Sequence, residues 1–151
     1  MIKLDRPFCI FDLEATGTNV LEDRIVDVCV LRREPDGRET LFSSLVNPGV
    51  PIPPEATAIH HITDEMVQDE PRLVDLAPKL LELFEGADLG GFNAVKYDIP
   101  LLAMELKRAG IVWPGPGKRT VDSFVIFSRK ERRDLSAAYK FYCGKELSGA
   151  H

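Results

Sequence analysis

Phe11-Asp12-Leu13-Glu14-Ala15-Thr16-Gly17-Thr18 is the stretch on which the reading of this chain turns. It ends the apolar run Pro7 to Leu13, which reads as a buried strand. Strand side chains alternate between faces, so Asp12 and Glu14 point one way and Leu13 the other. Phe8 and Ile10 share the carboxylates' face, so the strand enters a core and ends on two adjacent like charges. Two such charges raise each other's pKa or recruit a cation. A hard divalent ion, Mg²⁺ or Mn²⁺, suits oxygen ligands of this kind. An ordinary solvated strand end accounts for Asp-x-Glu equally well. The Thr-Gly-Thr turn that follows offers backbone N–H groups to a phosphate.

Working outward, Arg24 to Arg33 is a second apolar run. Pro35-Asp36-Gly37 supplies a hairpin turn, and Thr40 to Val46 reads as the returning strand. Pro48 to Pro54 is a connector. Thr63 before Asp64 and Glu65 marks the start of a short helix. Pro71 opens another, with Leu73, Leu76, Leu80 and Phe84 on one face and Gly86 at its end; Pro78 inside it argues for a break. Leu89 to Phe92 is a short strand. From Asp98 a helix carries Ile99, Leu102, Ala103, Leu106 and Ala109 to a stop at Gly110. Val121 to Phe127 fits strand or helix, and Leu135, Ala138, Tyr139 and Tyr142 form a helical stripe closed by Gly144. The order is strands first, then helices alternating with short strands, and the three N-terminal strands argue for a sheet with antiparallel members.

At 151 residues the chain has the length of one domain. Its 44% hydrophobic and 28% charged residues exclude a disordered or fibrous protein. No apolar run is long enough to cross a bilayer. Lys3, Asp5 and Arg6 interrupt any leader, so a cytoplasmic protein is expected. Cys9, Cys29 and Cys143 are widely spaced and read as buried free thiols. A net charge of −5 argues against coating nucleic acid by bulk electrostatics, but not against handling a strand end through metal ions.

The remaining candidates are weaker singly. Asp98 stands at a helix start, where an N-cap is the common role. Asn93 has the chemistry of a turn residue. His60-His61 and His151 offer imidazoles, but no ligand spacing with the cysteines supports zinc. Arg129 to Arg133 is the one basic cluster, read as a solvated run with phosphate-backbone tracking as the alternative.

Together these pieces resemble a known family. Phe-Asp-Leu-Glu-Ala-Thr-Gly is similar to the first motif of the DEDDh, or DnaQ-like, 3′–5′ exonucleases. Ala58-Ile59-His60-His61-Ile62-Thr63 resembles that family's Ile-His-Gly-Ile-Thr segment. Asn93-Ala94, then Tyr97-Asp98 and Leu101-Leu102, resembles its second motif, and Thr120-Val121-Asp122-Ser123 a further segment. The order holds over essentially the whole chain, and the likeness is to the epsilon type of DNA polymerase III. Three positions depart from the pattern. His61 stands where the family usually has Gly, and Phe92 where many members have His. The third motif is His followed five positions later by Asp, and His151 is the last residue, so its partner and a C-terminal helix would fall past the end.

The resemblance implies an α/β, ribonuclease H-like single domain over 1–151, with a mixed sheet of about five strands flanked by helices. It implies that Asp12, Glu14 and Asp98 hold two Mg²⁺ or Mn²⁺ ions and that His151 is the general base. Ala15, Thr16, Gly17, His60, Asn93 and Tyr97 would lie along the terminal nucleotide, and Asp122 would be structural. The implied activity is release of nucleoside 5′-monophosphates from a single-stranded or frayed 3′ end of DNA, with a DNA polymerase as a possible partner. An exoribonuclease acting on short RNA, or a non-catalytic module that binds 3′ ends or docks on a polymerase, is the alternative.

Overall fold

The computed structural model describes residues 5–91, 94–115 and 120–122. Val121 to Phe127 is described only in part, and Leu135 to Gly144, the basic cluster, Cys143, Asn93 and His151 lie outside the described residues.

Three strands come first: β1 (Phe8–Ala15), β2 (Ile25–Arg33) and β3 (Glu39–Leu45). β2 and β3 form the expected hairpin, in register from Asp27↔Leu45 to Arg33↔Glu39. Its turn uses Gly37 at φ 93°, a conformation open to glycine. β1 lies antiparallel to β2, from Phe8↔Arg33 to Glu14↔Asp27. β4 (Asp88–Gly91) pairs parallel with β1, and β5 (Thr120–Asp122) pairs parallel with β4. The sheet order is β3-β2-β1-β4-β5, which puts β1 at the centre.

The alternation of β1 divides its two faces. Cys9, Phe11 and Leu13 are buried with Val28 and Val30 of β2 against two helices. These are α3 (Leu73–Phe84), through Leu73, Ala77, Leu80, Leu83 and Phe84, and α4 (Ile99–Arg108), through Leu102 and Leu106. Phe11 meets Phe84 edge-on, with centroids 5.3 Å apart, and Trp113 closes the cluster 5.0 Å from Phe84. Phe8, Ile10, Asp12 and Glu14 occupy the other face and are half-buried. A shift of register between Glu14 and Ala15 changes the pattern there. Ile25 joins the first cluster, whereas Val26 joins a second with Ile52, Ala56, Ile62 and Val67.

Two helices differ from the sequence reading. Pro78 does not break α3, which runs unbroken past it. The five buried apolar residues on one face outweigh the loss of one backbone hydrogen bond. The end of α3 is also well satisfied. Arg32 Nη1 donates to the carbonyls of Leu83 at 2.6 Å and Glu85 at 2.8 Å, and the Cys9 thiol reaches Leu83 O at 3.0 Å. The second difference is α1 (Pro54–His60), whose start lies at the edge of the proline-rich connector. Pro54 at its first position fits a helix that needs no N–H there. It ends at His61 in the left-handed conformation, φ 62°, whose N–H returns to Thr57 O at 2.7 Å. α2 (Asp64–Val67) starts at Thr63 as expected, its hydroxyl accepting from Met66 N–H at 3.3 Å.

Cys9 and Cys29 are buried free thiols. No helix among the described residues is long and apolar enough to cross a membrane.

Candidate active site

β1 ends beside the start of α4, and between them opens a cavity of about 290 Å³. Asp12 and Glu14 reach it from the strand and Asp98 from the helix. The backbone explains why Asp98 is not a cap. A single π-helical turn (Ala94–Asp98) runs directly into α4, so Asp98 already has helical angles, φ −68° and ψ −43°. Its side chain makes no capping hydrogen bond, and the residue is only 6% exposed. A π-turn at a helix start is a frequent mark of a functional site. Among the described residues no three acidic, histidine or cysteine side chains already close around one point.

The cost of collecting them shows in their acidity. Burial, then the neighbouring Glu14, pushes the Asp12 carboxyl up from 3.8 to about 8. Burial, then Asp27, pushes Glu14 up from 4.5 to about 7. Asp27 is the residue the sequence reading passed over. It faces Glu14 directly across the β1–β2 pair and adds a third negative charge to that face. An acid alone in the apolar run Ile25 to Leu31 was the available signal.

Apolar side chains also line the cavity. Among them are Val20, Ala56, Ile59, Tyr97 and Leu101, with Ile59 and Tyr97 both well exposed. Lys96 Nζ lies 5.9 Å from the centre of the Tyr97 ring, within cation–π range. Ala15, Gly17 and Thr18 form the rim.

His60 also lines the cavity, but both its ring nitrogens are engaged. Nδ1 accepts Ile62 N–H at 3.1 Å, which leaves Nε2 to donate to Ala15 O at 3.0 Å. Burial lowers its pKa, in keeping with a neutral ring. His60 therefore ties the end of α1 to the end of β1. Thr16 is likewise occupied: its N–H donates to Arg24 O at 2.8 Å, and its hydroxyl bonds within the loop. Of the rim residues, Gly17 and Thr18 face the cavity and Thr16 supports them.

A central parallel pair flanked by an antiparallel hairpin, with acids at the end of the middle strand, defines a ribonuclease H-like fold. Exonuclease I of E. coli, solved with a dT13 oligonucleotide, has the same fold. It superimposes with a TM-score of 0.75 at 17% identity, over 97% of this chain and 38% of that one. The family model RNase_T, described as Exonuclease, matches residues 9–151. The chain belongs to this exonuclease family and is a DnaQ-like member of it. The epsilon subunit of DNA polymerase III from Treponema pallidum is 34% identical over 99 residues, 66% of this chain and 46% of that protein. A polymerase III epsilon-like protein of Rhodobacter capsulatus is 35% identical over 86% of this chain and 19% of its own length. The PolC-type polymerase III of Caldanaerobacter subterraneus is 29% identical over 93% of this chain and 9% of its own. The chain thus spans less than half the length of each of these relatives.

Proposed function

We propose that this chain is the nuclease unit of a metal-dependent 3′–5′ exonuclease that releases nucleoside 5′-monophosphates from DNA. One observation carries the reading: acids from two elements line one cavity together with apolar and aromatic side chains. The acids provide for a phosphodiester and the apolar side chains for a base.

The donor set fits the ions that the family resemblance implies. Asp12, Glu14 and Asp98 are hard oxygen ligands, and the raised pKa values of the first two reflect burial and then neighbouring acids, a cost to the charged carboxylates that dications would offset. Such ions supply an activated water and stabilise charge on the transferring phosphoryl group. The chain's own residues do the rest. Asp12, on the central strand, is fixed by its pairing with Cys29 of β2. Asp98 is fixed by the π-turn and α4. Gly17 and Thr18 border the terminal nucleotide, Ile59 and Tyr97 exclude water from its base, and Ala15 and His60 hold the rim. Asn93 and His151 are assigned by their place in the motifs, His151 as the base that takes a proton from the attacking water. An unperturbed imidazole, with a pKa of about 6.5, suits that task near neutrality. DNA is the substrate favoured by the polymerase III relatives, and a polymerase is the corresponding partner.

A 5′-labelled single-stranded oligonucleotide, in DNA and RNA versions, tests the reading. Stepwise shortening from the 3′ end in Mg²⁺ or Mn²⁺, its loss on chelation and its loss in Asp12→Asn are expected. Activity that survives complete chelation, or internal cuts alone, would overturn it. Faster shortening of RNA would make the protein an exoribonuclease.

A further inference from the structure

The loop between β1 and β2 is held by one carboxylate. Asp23 Oδ1 accepts the Thr16 hydroxyl at 2.9 Å, and Oδ2 accepts Asn19 N–H at 2.8 Å. Asp23 N–H donates to Asn19 O at 2.8 Å. The Thr16 hydroxyl in turn accepts Arg24 N–H at 3.0 Å. Both oxygens of Asp23 are thus committed to the loop, one at the β1 end and one at the tip.

The same carboxylate lies against Gly17. A Cβ placed on Gly17 would sit 2.8 Å from Asp23 Cγ and 2.9 Å from Oδ1, closer than atoms tolerate. Gly17 is not among the residues with positive φ, so its backbone conformation alone would admit any residue. Asp23 is what requires glycine there. Gly17 and Thr18 border the acidic cavity, whereas Asp23 stands behind them and does not line it.

We propose that Asp23 is the positioning residue of the nucleotide-binding rim. It clamps the loop from behind so that Gly17, with no side chain, brings its backbone up to the terminal nucleotide. This inference rests on the exonuclease reading. Aspartate suits the place because two donors converge on it. Asparagine has the same shape but only one acceptor oxygen, so it can receive Asn19 N–H only if the Thr16 hydroxyl gives up donating to residue 23.

Steady-state kinetics on a 5′-labelled DNA oligonucleotide test the assignment, with wild type, Asp23→Ala, Asp23→Asn, Gly17→Ala and the double variant Gly17→Ala/Asp23→Ala. Asp23→Ala, which removes both side-chain hydrogen bonds of the clamp, should raise KM about tenfold or more and change kcat less than about twofold. Asp23→Asn should lie between the two. Affinity for a deoxynucleoside 5′-monophosphate, titrated in Mg²⁺, should fall in step with KM. Gly17→Ala should be costly in the wild-type background and add little to Asp23→Ala, because the group its methyl would meet is gone. An unchanged KM in both Asp23 variants, a fall in kcat alone, or multiplying effects in the double variant would overturn the inference. Should Asp23→Ala not fold, Asp23→Asn and Gly17→Ala still decide it through the same split of KM and kcat. A wild type that shortens no DNA in either metal overturns the exonuclease reading and this inference with it. An active wild type with insensitive Asp23 variants overturns this inference alone.

Discussion

At the scale of single residues, Asp12 carries the largest electrostatic consequence. Its pKa rises from 3.8 to about 8 on folding, and that of Glu14 from 4.5 to about 7. An acid with a raised pKa holds its proton more tightly in the folded state, so the folded state is favoured at low pH. For these two groups stability is full below about pH 4 and is lost as pH rises through 7 and 8. Metal-free protein should therefore melt at a lower temperature at pH 8 than at pH 5. Asp12→Asn should flatten that dependence and be at least as stable as wild type at pH 8. Mg²⁺ or Mn²⁺ should recover the loss in wild type and much less in the variant. Thermal melts in chelator and in metal, at both pH values, check all three. His61 offers a second test. It holds a left-handed φ of 62° as a non-glycine residue, at the position where the family usually has Gly. His61→Gly should stabilise the protein by about 1 kcal/mol, read from denaturant unfolding.

At the scale of elements, α4 is tied to the sheet by a buried acid. Glu105, 4% exposed, accepts from Arg24 Nε at 2.6 Å and from Arg108 Nη1 at 3.1 Å. Arg24 opens the approach to β2 and is paired through its backbone to Thr16, so this link joins the helix of Asp98 to the rim of the cavity. Glu105→Gln should cost about 2 kcal/mol in denaturant unfolding, since its charge-assisted hydrogen bonds to Arg24 and Arg108 weaken. The cost stays below that of a fully buried pair because both arginines are partly exposed and can rehydrate. Most of the elements were legible in the sequence where one local signal decided them. β1 to β3 showed apolar runs and a Pro-Asp-Gly turn, and α2 showed Thr63 followed by acids. α1 was hidden because Pro53-Pro54 reads as loop until its helical continuation is seen. Continuity through Pro78 was hidden because burial, not local propensity, decides it. The site divides in the same way. Alternation along β1 singled out Asp12 and Glu14, and motif resemblance added Asp98. His60 as a tie between elements, Asp27 as a third charge and Asp23 as a clamp depend on contacts that exist only once the chain has closed.

At the scale of the whole molecule, the order of pairing has a temporal meaning. β2 and β3 meet across a five-residue turn, Glu34 to Arg38, and β1 joins them through one loop. The β1–β4 pair, by contrast, must wait for α1, α2 and α3 to be brought together between its strands. Nearby contacts form early and distant ones late, because closing a long loop costs entropy before it returns any contact. Asp98 follows β4, so the three acids meet only at that last step. Divalent ions that need all three should leave the refolding rate unchanged and slow unfolding, which stopped-flow measurements with and without Mg²⁺ would show. β1, which carries Asp12 and Glu14, completes its pairing only with β4, far from it in sequence. Ions held by all three acids would therefore act as a latch on the completed chain, lengthening the life of each folded molecule without hastening its birth.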